Sequence, residues 1–238
     1  MPLPRVPVPE DTIKLYSLPK PIRYRPYLVG EEKLLMIAQE SDKVEDIEAA
    51  IKQLIRDCTF GEVDVMSLAS FDVEYMFLKL RARSVSNIME NRYRCINKVP
   101  STTGEGMSEC GQVVPIGIDL NTIELTVPED HSNKVWLSDD MGLLMKYPTM
   151  KITDVDLQTV LPQTIKSVFT KDGTVYEFAD YTKEEQLEFI NQLTLPMVGK
   201  ITTFFETLPR LEYTFMFRCP ACKYEEKVEL RGLEDFFD

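Results

Sequence analysis

Leu211-Glu212-Tyr213-Thr214-Phe215-Met216-Phe217-Arg218-Cys219-Pro220-Ala221-Cys222 alternates strictly until it meets two cysteines. Successive side chains on a strand point to opposite faces. Leu211, Tyr213, Phe215 and Phe217 therefore share one face, and Glu212, Thr214, Met216 and Arg218 the other. Lys227 to Leu230 reads as the return strand, and the late apolar residues Leu233, Phe236 and Phe237 predict a docked tail. Cys219 and Cys222 thus fall in the turn between two strands. At that spacing one turn can present two thiolates to a tetrahedral metal.

A second pair, Cys95 and Cys110, repeats the arrangement. Tyr93-Arg94-Cys95 and Phe217-Arg218-Cys219 each end an aromatic-bearing strand with Arg-Cys, while Cys110-Gly111 and Cys222-Lys223 each open a return strand. Two hairpins offering two thiolates each follow the logic of a zinc ribbon, and they predict a structural zinc held by Cys95, Cys110, Cys219 and Cys222. Such a site would staple the segments 91–120 and 211–230 together. The 14 residues between Cys95 and Cys110 exceed a ribbon's usual two to four, so the Pro/Ser/Thr/Gly-rich stretch Pro100 to Gly106 must bulge out as a loop. Two other readings stand beside this one. The four cysteines can be ordinary reduced thiols, or Cys219 and Cys222 a redox dithiol, although such a dithiol normally opens a helix and strand patterns flank this one. Cys58 falls on an apolar helix face and reads as a small core residue.

Towards the N-terminus the period changes. Residues 1–10 carry Pro2, Pro4, Pro7 and Pro9, which favour an extended arm, and Thr12 to Tyr16 and Ile22 to Val29 read as extended segments. Three helices follow. The first spans Glu31 to Glu40. The second has Asp42 as N-cap, Glu45 three residues later, and Val44, Ile47, Ile51, Leu54, Ile55 and Cys58 on one face. The third spans Asp72 to Ser86, with Val73, Met76, Phe77 and Leu80 at helical spacing and a basic C-terminal half that suits the helix dipole.

From Asn91 the alternation is that of strands: Val114, Ile116, Ile118 and Leu120, then Ile123, Leu125 and Val127, then Val135-Trp136-Leu137. Asp172-Gly173 reads as a hairpin turn. Thr182 with Glu185 forms a capping box that opens a helix through Ile190 to Pro196, and Met197, Ile201, Phe204, Phe205 and Leu208 make one further apolar face. The sequence therefore predicts an α+β fold: an extended proline-rich arm with strands over 1–29, a helical region over 30–90, and a mixed β/α region with zinc-ribbon-like hairpins over 91–238.

Composition narrows the function. Thirty-nine acidic against 27 basic residues give a formal net charge of -12, opposite in sign to what phosphate neutralisation requires, so nucleic acid is disfavoured as a partner. Basic clusters at Lys20 to Arg25 and at Lys79, Arg81, Arg83, Arg92 and Arg94 read as pairing with the acidic excess. No run approaches the roughly 20 apolar residues of a membrane span. Met1 to Arg5 lacks the apolar core of a secretory signal, and five cysteines, an odd number in a chain of this size, suit a reducing compartment. No active site is apparent. His131 is the single histidine, no G-x-S-x-G is present, and Thr102-Thr103-Gly104-Glu105-Gly106 matches no phosphate-binding fingerprint. The adjacent carboxylate pairs Asp139-Asp140, Glu184-Glu185 and Glu225-Glu226 read as solvated surface.

Three segments carry a resemblance: Leu18-Pro19-Lys20-Pro21 with Arg23 to Met36, Phe71 to Val85, and Phe217-Arg218-Cys219-Pro220 with Leu230 to Phe237. Together they resemble the baseplate hub family of T-even-type contractile-tailed bacteriophages, across most of the chain. The resemblance implies a non-enzymatic protein of the virion tail baseplate, built into the hub or assisting its assembly in the host cytoplasm, with other baseplate and hub proteins as partners. It supplies no catalytic residues. Arg23, Tyr24, Arg25 and Tyr27, with Lys79, Arg81 and Arg83, are the expected places for protein contacts; the alternative is that they belong to an edge strand and a helix cap. A zinc-ribbon adaptor acting on host transcription or translation machinery is the rival function, and a carboxylate-dependent hydrolase has no positive support.

Overall fold

The computed structural model describes residues 6–41, 43–101, 106–150 and 156–237. Two short strands, β1 (Asp11–Ile13) and β2 (Ile22–Tyr24), pair antiparallel with Asp11 opposite Tyr24. Three helices follow: α1 (Val29–Glu40), α2 (Val44–Cys58) and α3 (Ser70–Ser84). α1 starts two residues before the expected Glu31, because the Glu31 carboxylate reaches back to accept the Leu28 N–H at 2.7 Å. α2 begins after Lys43, which offers no side-chain cap; Asp42, expected in that role, lies outside the described residues.

α3 departs from the expected single apolar face. Phe71, Val73, Tyr75, Met76, Leu78, Leu80 and Ala82 are all buried, because α2, the strand pairs and the C-terminal tail surround the helix. Asp72 is fully buried with them. Its carboxylate accepts the backbone N–H groups of Tyr16 (2.8 Å) and Ser17 (2.7 Å) and the Ser17 hydroxyl. A buried charge is tolerated where hydrogen bonds of this kind replace water.

β3 (Ile88–Arg94) and β6 (Val113–Asp119) form an antiparallel ladder from Ile88–Asp119 to Arg94–Val113. The long excursion between them makes its own hairpin, β4 (Lys98–Pro100) with β5 (Met107–Glu109), so the expected loop is partly strand. β7 (Leu125–Thr126) precedes the segment 134–208, which contributes the whole of a second buried apolar cluster. Here β8 (Lys134–Trp136), β9 (Met141–Met145), β10 (Ile165–Thr170) and β11 (Val175–Glu177) build a four-stranded antiparallel sheet in the order β11-β10-β9-β8, with the helix α4 (Leu157–Thr164) between β9 and β10 in the chain. Gly173 takes a φ of +92° in the β10–β11 turn, a conformation glycine adopts without steric cost. α5 (Lys183–Asn191) and α6 (Leu195–Glu206) supply Ile190, Ile201 and Phe204 to that cluster. The Thr182–Glu185 capping box is present, and Pro196 occupies the first turn of α6.

β12 (Arg210–Arg218), the stretch that alternates in sequence, pairs with β13 (Glu225–Arg231) and with β7 in the order β13-β12-β7. Leu211 and Phe217 are fully buried while Thr214, Met216 and Arg218 face solvent. α7 (Gly232–Phe237) then docks Phe236 into the main core, beside residues from β1, β2, α2 and α3. The fold is α+β, and its main core is made from both ends of the chain.

Candidate metal centre

The two long ladders, β3–β6 and β12–β13, meet where each turns. Cys95 follows β3 directly and Cys219 follows β12 directly; Cys110 and Cys222 lie just before β6 and β13. Aromatic packing sets the approach. The Tyr93 ring lies 4.5 Å from that of Phe217 and its hydroxyl donates to Glu226 at 3.1 Å.

The backbone makes the same turn twice. Cys95 N–H donates to Gln112 O (2.9 Å) and Gly111 N–H to Cys95 O (3.0 Å); Cys219 N–H donates to Tyr224 O (2.9 Å) and Lys223 N–H to Cys219 O (3.0 Å). The residue after each second cysteine is left-handed, with φ of +65° at Gly111 and +63° at Lys223. Glycine meets that demand freely, whereas at Lys223 the turn has to offset the steric cost of a side chain. The long excursion returns because Cys110 N–H donates to Asn97 O at 2.8 Å.

These turns bring all four sulfurs within 4.8 Å of one another. Cys95 Sγ stands 3.7 Å from Cys222 Sγ, and Cys110 Sγ 3.8 Å from Cys219 Sγ. Four sulfurs about 2.3 Å from a central zinc would be separated by about 3.8 Å. The cluster therefore has the size of a tetrahedral thiolate site. It can hold a metal, and four thiolates would leave such an ion no open position.

The surroundings act unequally on the thiols. Burial pushes Cys95 up to about 12, against the Asn97 N–H that favours its thiolate. At Cys110 the Gln112 N–H favours the thiolate, but burial and the neighbouring thiols outweigh it and the net shift is upward. Cys222 is lowered to about 6 by the Asn97 side-chain amide, at 3.5 Å from its sulfur, and by the Tyr224 N–H. Thiols bind a metal as thiolates, so groups that favour the thiolate also favour a metal here. Asn97, Gln112 and Tyr224 are all absent from the sequence reading; their only trace there is that each stands two residues after a cysteine.

The other candidate residues are largely engaged within the chain. Arg23 pairs with Glu62 and with Glu10 (3.5 Å) and lies over the Phe60 ring. Tyr24 and Tyr27 are buried. Arg25 grips Glu31 through two bonds of 2.7 and 2.9 Å. Lys79 bonds Glu124 and the Asn121 carbonyl, both at 3.0 Å. Arg83 faces Asp11 at 3.6 Å and stays half-exposed, while Arg81 has a buried Nη1 with no hydrogen-bond partner among the described residues.

His131 lies between Thr207 Oγ1 (3.1 Å) and Tyr147 OH (3.3 Å) and stacks on Phe204. Tyr147 in turn meets Tyr16 and Phe71, so this aromatic group joins the second cluster to α3 and the N-terminal segment. Cys58 is fully buried, as expected of a core residue, and burial raises its thiol to about 12.

The site defines a class: an α+β protein whose distant segments are drawn together by a closed set of thiols. The sequence pattern of the family described as T4 bacteriophage base plate protein matches residues 8–238, nearly the whole chain, and the chain belongs to that family. No curated protein and no solved structure matches it. Membership associates the chain with other phage baseplate proteins and with the virion tail. No helix among the described residues is long and apolar enough to cross a membrane.

Proposed function

We propose that this protein is a non-catalytic component of the baseplate hub, or a factor in hub assembly, and that it works through protein–protein contacts. A structural zinc ion held by Cys95, Cys110, Cys219 and Cys222 locks its two ladders together. The observation that carries this reading is the closed cluster of thiols, with sulfur spacings of 3.7 and 3.8 Å, in a chain of the baseplate family. Zinc would supply a cross-link and no chemistry. The chain's own groups hold the sulfurs in place: the N–H groups of Asn97, Gln112 and Tyr224 and the Asn97 amide favour the thiolates. Arg23 and Arg83 keep about half their side-chain surface in solvent, and these two of the expected contact residues are the ones proposed to meet a partner.

Quantitative mass spectrometry of mature particles and of isolated baseplate-assembly intermediates tests the role. Presence in both at a fixed ratio to other tail proteins identifies a hub subunit, and presence only in intermediates identifies an assembly factor. Absence from both overturns the proposal.

A further inference from the structure

The four-stranded sheet carries a cleft on the side that α5 covers. Met141 stands opposite Thr170, and Val168 opposite Tyr176, across β9, β10 and β11, so these four side chains share one face. Phe178, Tyr181 and one side of α5, from Glu185 to Gln192, close a space of about 390 Å³ over them. That lies within the range of ligand sites, about 300–1,000 Å³. The floor is apolar: Val168 and Phe178 are buried, and the Phe189 ring meets Phe178 edge-on at 6.0 Å.

The polar groups of the wall decide what the cleft takes. Its only charged residues are Glu185 and Glu188. Glu185 is fixed by the capping box, where Oε2 accepts both the N–H (2.8 Å) and the hydroxyl (3.0 Å) of Thr182 and leaves Oε1 for another donor. Glu188 is exposed and pairs with no cation among the described residues. Two donors of the wall are already spent. The Gln186 amide donates to Phe178 O (2.7 Å) and Tyr181 O (3.0 Å), and the Thr170 hydroxyl to Asp172 and Thr174 O. The site is thus weighted towards acceptors and negative charge, between aromatic rings. An anion is repelled here, and a plain aliphatic group leaves the acceptors unpaired. A cation on an apolar stem meets both demands: the stem covers the floor and the head reaches the carboxylates across the rings. Guanidinium suits the wall better than ammonium, because it is planar, stacks on aromatic faces and offers five donors.

The position of the cleft indicates a protein source for that group. Tyr176 belongs to β11, the outermost strand of the sheet, whose far edge has no strand partner among the described residues. Tyr176 and Tyr181 are 43% and 40% exposed. A neighbouring segment can lie along such an edge and place a side chain in a pocket beside it. We propose that this cleft receives an arginine side chain presented by a partner protein.

The test is a titration of the full chain, isotope-labelled at its methionine methyls and followed by NMR. Met141 stands in the wall of the cleft, and Met216, 67% exposed on β12, reports non-specific binding. The probes are a blocked tripeptide with arginine between two valines, the same peptide with neutral citrulline or with lysine in the middle, and agmatine, a guanidinium without a peptide backbone. The arginine peptide should shift Met141 saturably, leave Met216 in place, and bind at least about five-fold tighter than the citrulline peptide. It should also bind tighter than the lysine peptide. Glu188→Gln, at an exposed helix position, leaves the fold intact and should bring the arginine and citrulline peptides within about two-fold of each other. No movement at Met141, equal movement at Met216, equal binding of the citrulline peptide, or an undiminished gap in Glu188→Gln each overturns the proposal. A lysine peptide that binds as tightly overturns the choice of arginine. Agmatine binding as tightly as the arginine peptide overturns the protein source and gives the cleft to a free small cation.

Discussion

If the four cysteines hold zinc as proposed, removing it should lower the melting temperature by about 9 °C. Among the segments that the cluster joins, Cys110 and Cys219 are separated by 109 residues along the chain. Cross-linking an unfolded chain across about 100 residues removes about 4.7 kcal/mol of loop-closure entropy at 25 °C. Across the 238 residues, an unfolding entropy of about 2.1 cal/mol/K per residue amounts to about 0.5 kcal/mol/K. Their ratio gives the shift. The assay is calorimetry of the full chain, first loaded with one equivalent of zinc verified by elemental analysis and then stripped with a thiol-compatible chelator under reducing conditions. Cys219→Ser provides the control: it should melt near the stripped protein and respond little to chelator, because both perturbations remove the same cross-link. Zinc that binds stoichiometrically yet leaves the melting point unmoved when stripped would refute the stapling argument. Failure to bind zinc at all would refute the metal assignment before stability enters.

Two further outcomes are expected. Asp72→Ala leaves the N–H groups of Tyr16 and Ser17 and the Ser17 hydroxyl without their buried acceptor, and should cost about 3–5 kcal/mol in urea denaturation; a loss below about 1 kcal/mol would show that water replaces the carboxylate. Burial lowers the pKa of His131 beneath its ordinary 6.5, so below that pH the unfolded chain takes up a proton that the folded one refuses. Stability is then complete above about pH 6.5 and declines as pH falls. His131→Phe should flatten the difference in urea midpoint between about pH 7.5 and 5.5, and an equal slope in the variant would clear His131 of responsibility.

What the sequence discloses depends on whether the relevant physics is local. β12 is legible because one buried and one wet face impose strict alternation, and the Thr182–Glu185 box because a helix start is satisfied within four residues. The cysteine cluster is legible because two turns repeat the same Arg-Cys context. β9 escapes: its residues Met141 to Met145 lie on an inner strand where Gly142, Leu143 and Met145 are buried, so no alternation marks it. α4 escapes because Pro162 sits inside it. Lys79 and Arg25 read in sequence as pairing with the acidic excess, but the particular partners Glu124 and Glu31 are set by the fold, and spacing along one helix cannot reveal that Lys79 meets a carboxylate 45 residues away. The sequence also holds no trace of the left-handed turn at Lys223, where a side chain tolerates what Gly111 does freely.

The main core draws on Ile13, Leu15, Ile22 and Tyr24 near one end and on Leu211 and Phe236 near the other. On the ribosome, at about 5–20 residues per second, its first strands emerge on the order of 10–40 s before Leu211 does. The cluster of 135–208, by contrast, is complete in sequence before β12 begins and can collapse during synthesis. For that interval the nascent chain carries an open, greasy core while the second cluster is still being made, and the thiols of Cys95 and Cys110 wait for theirs. Chaperone demand and sensitivity to interrupted translation should therefore be greatest for chains stalled between about residue 120 and residue 211, a liability written by topology and not by any single residue.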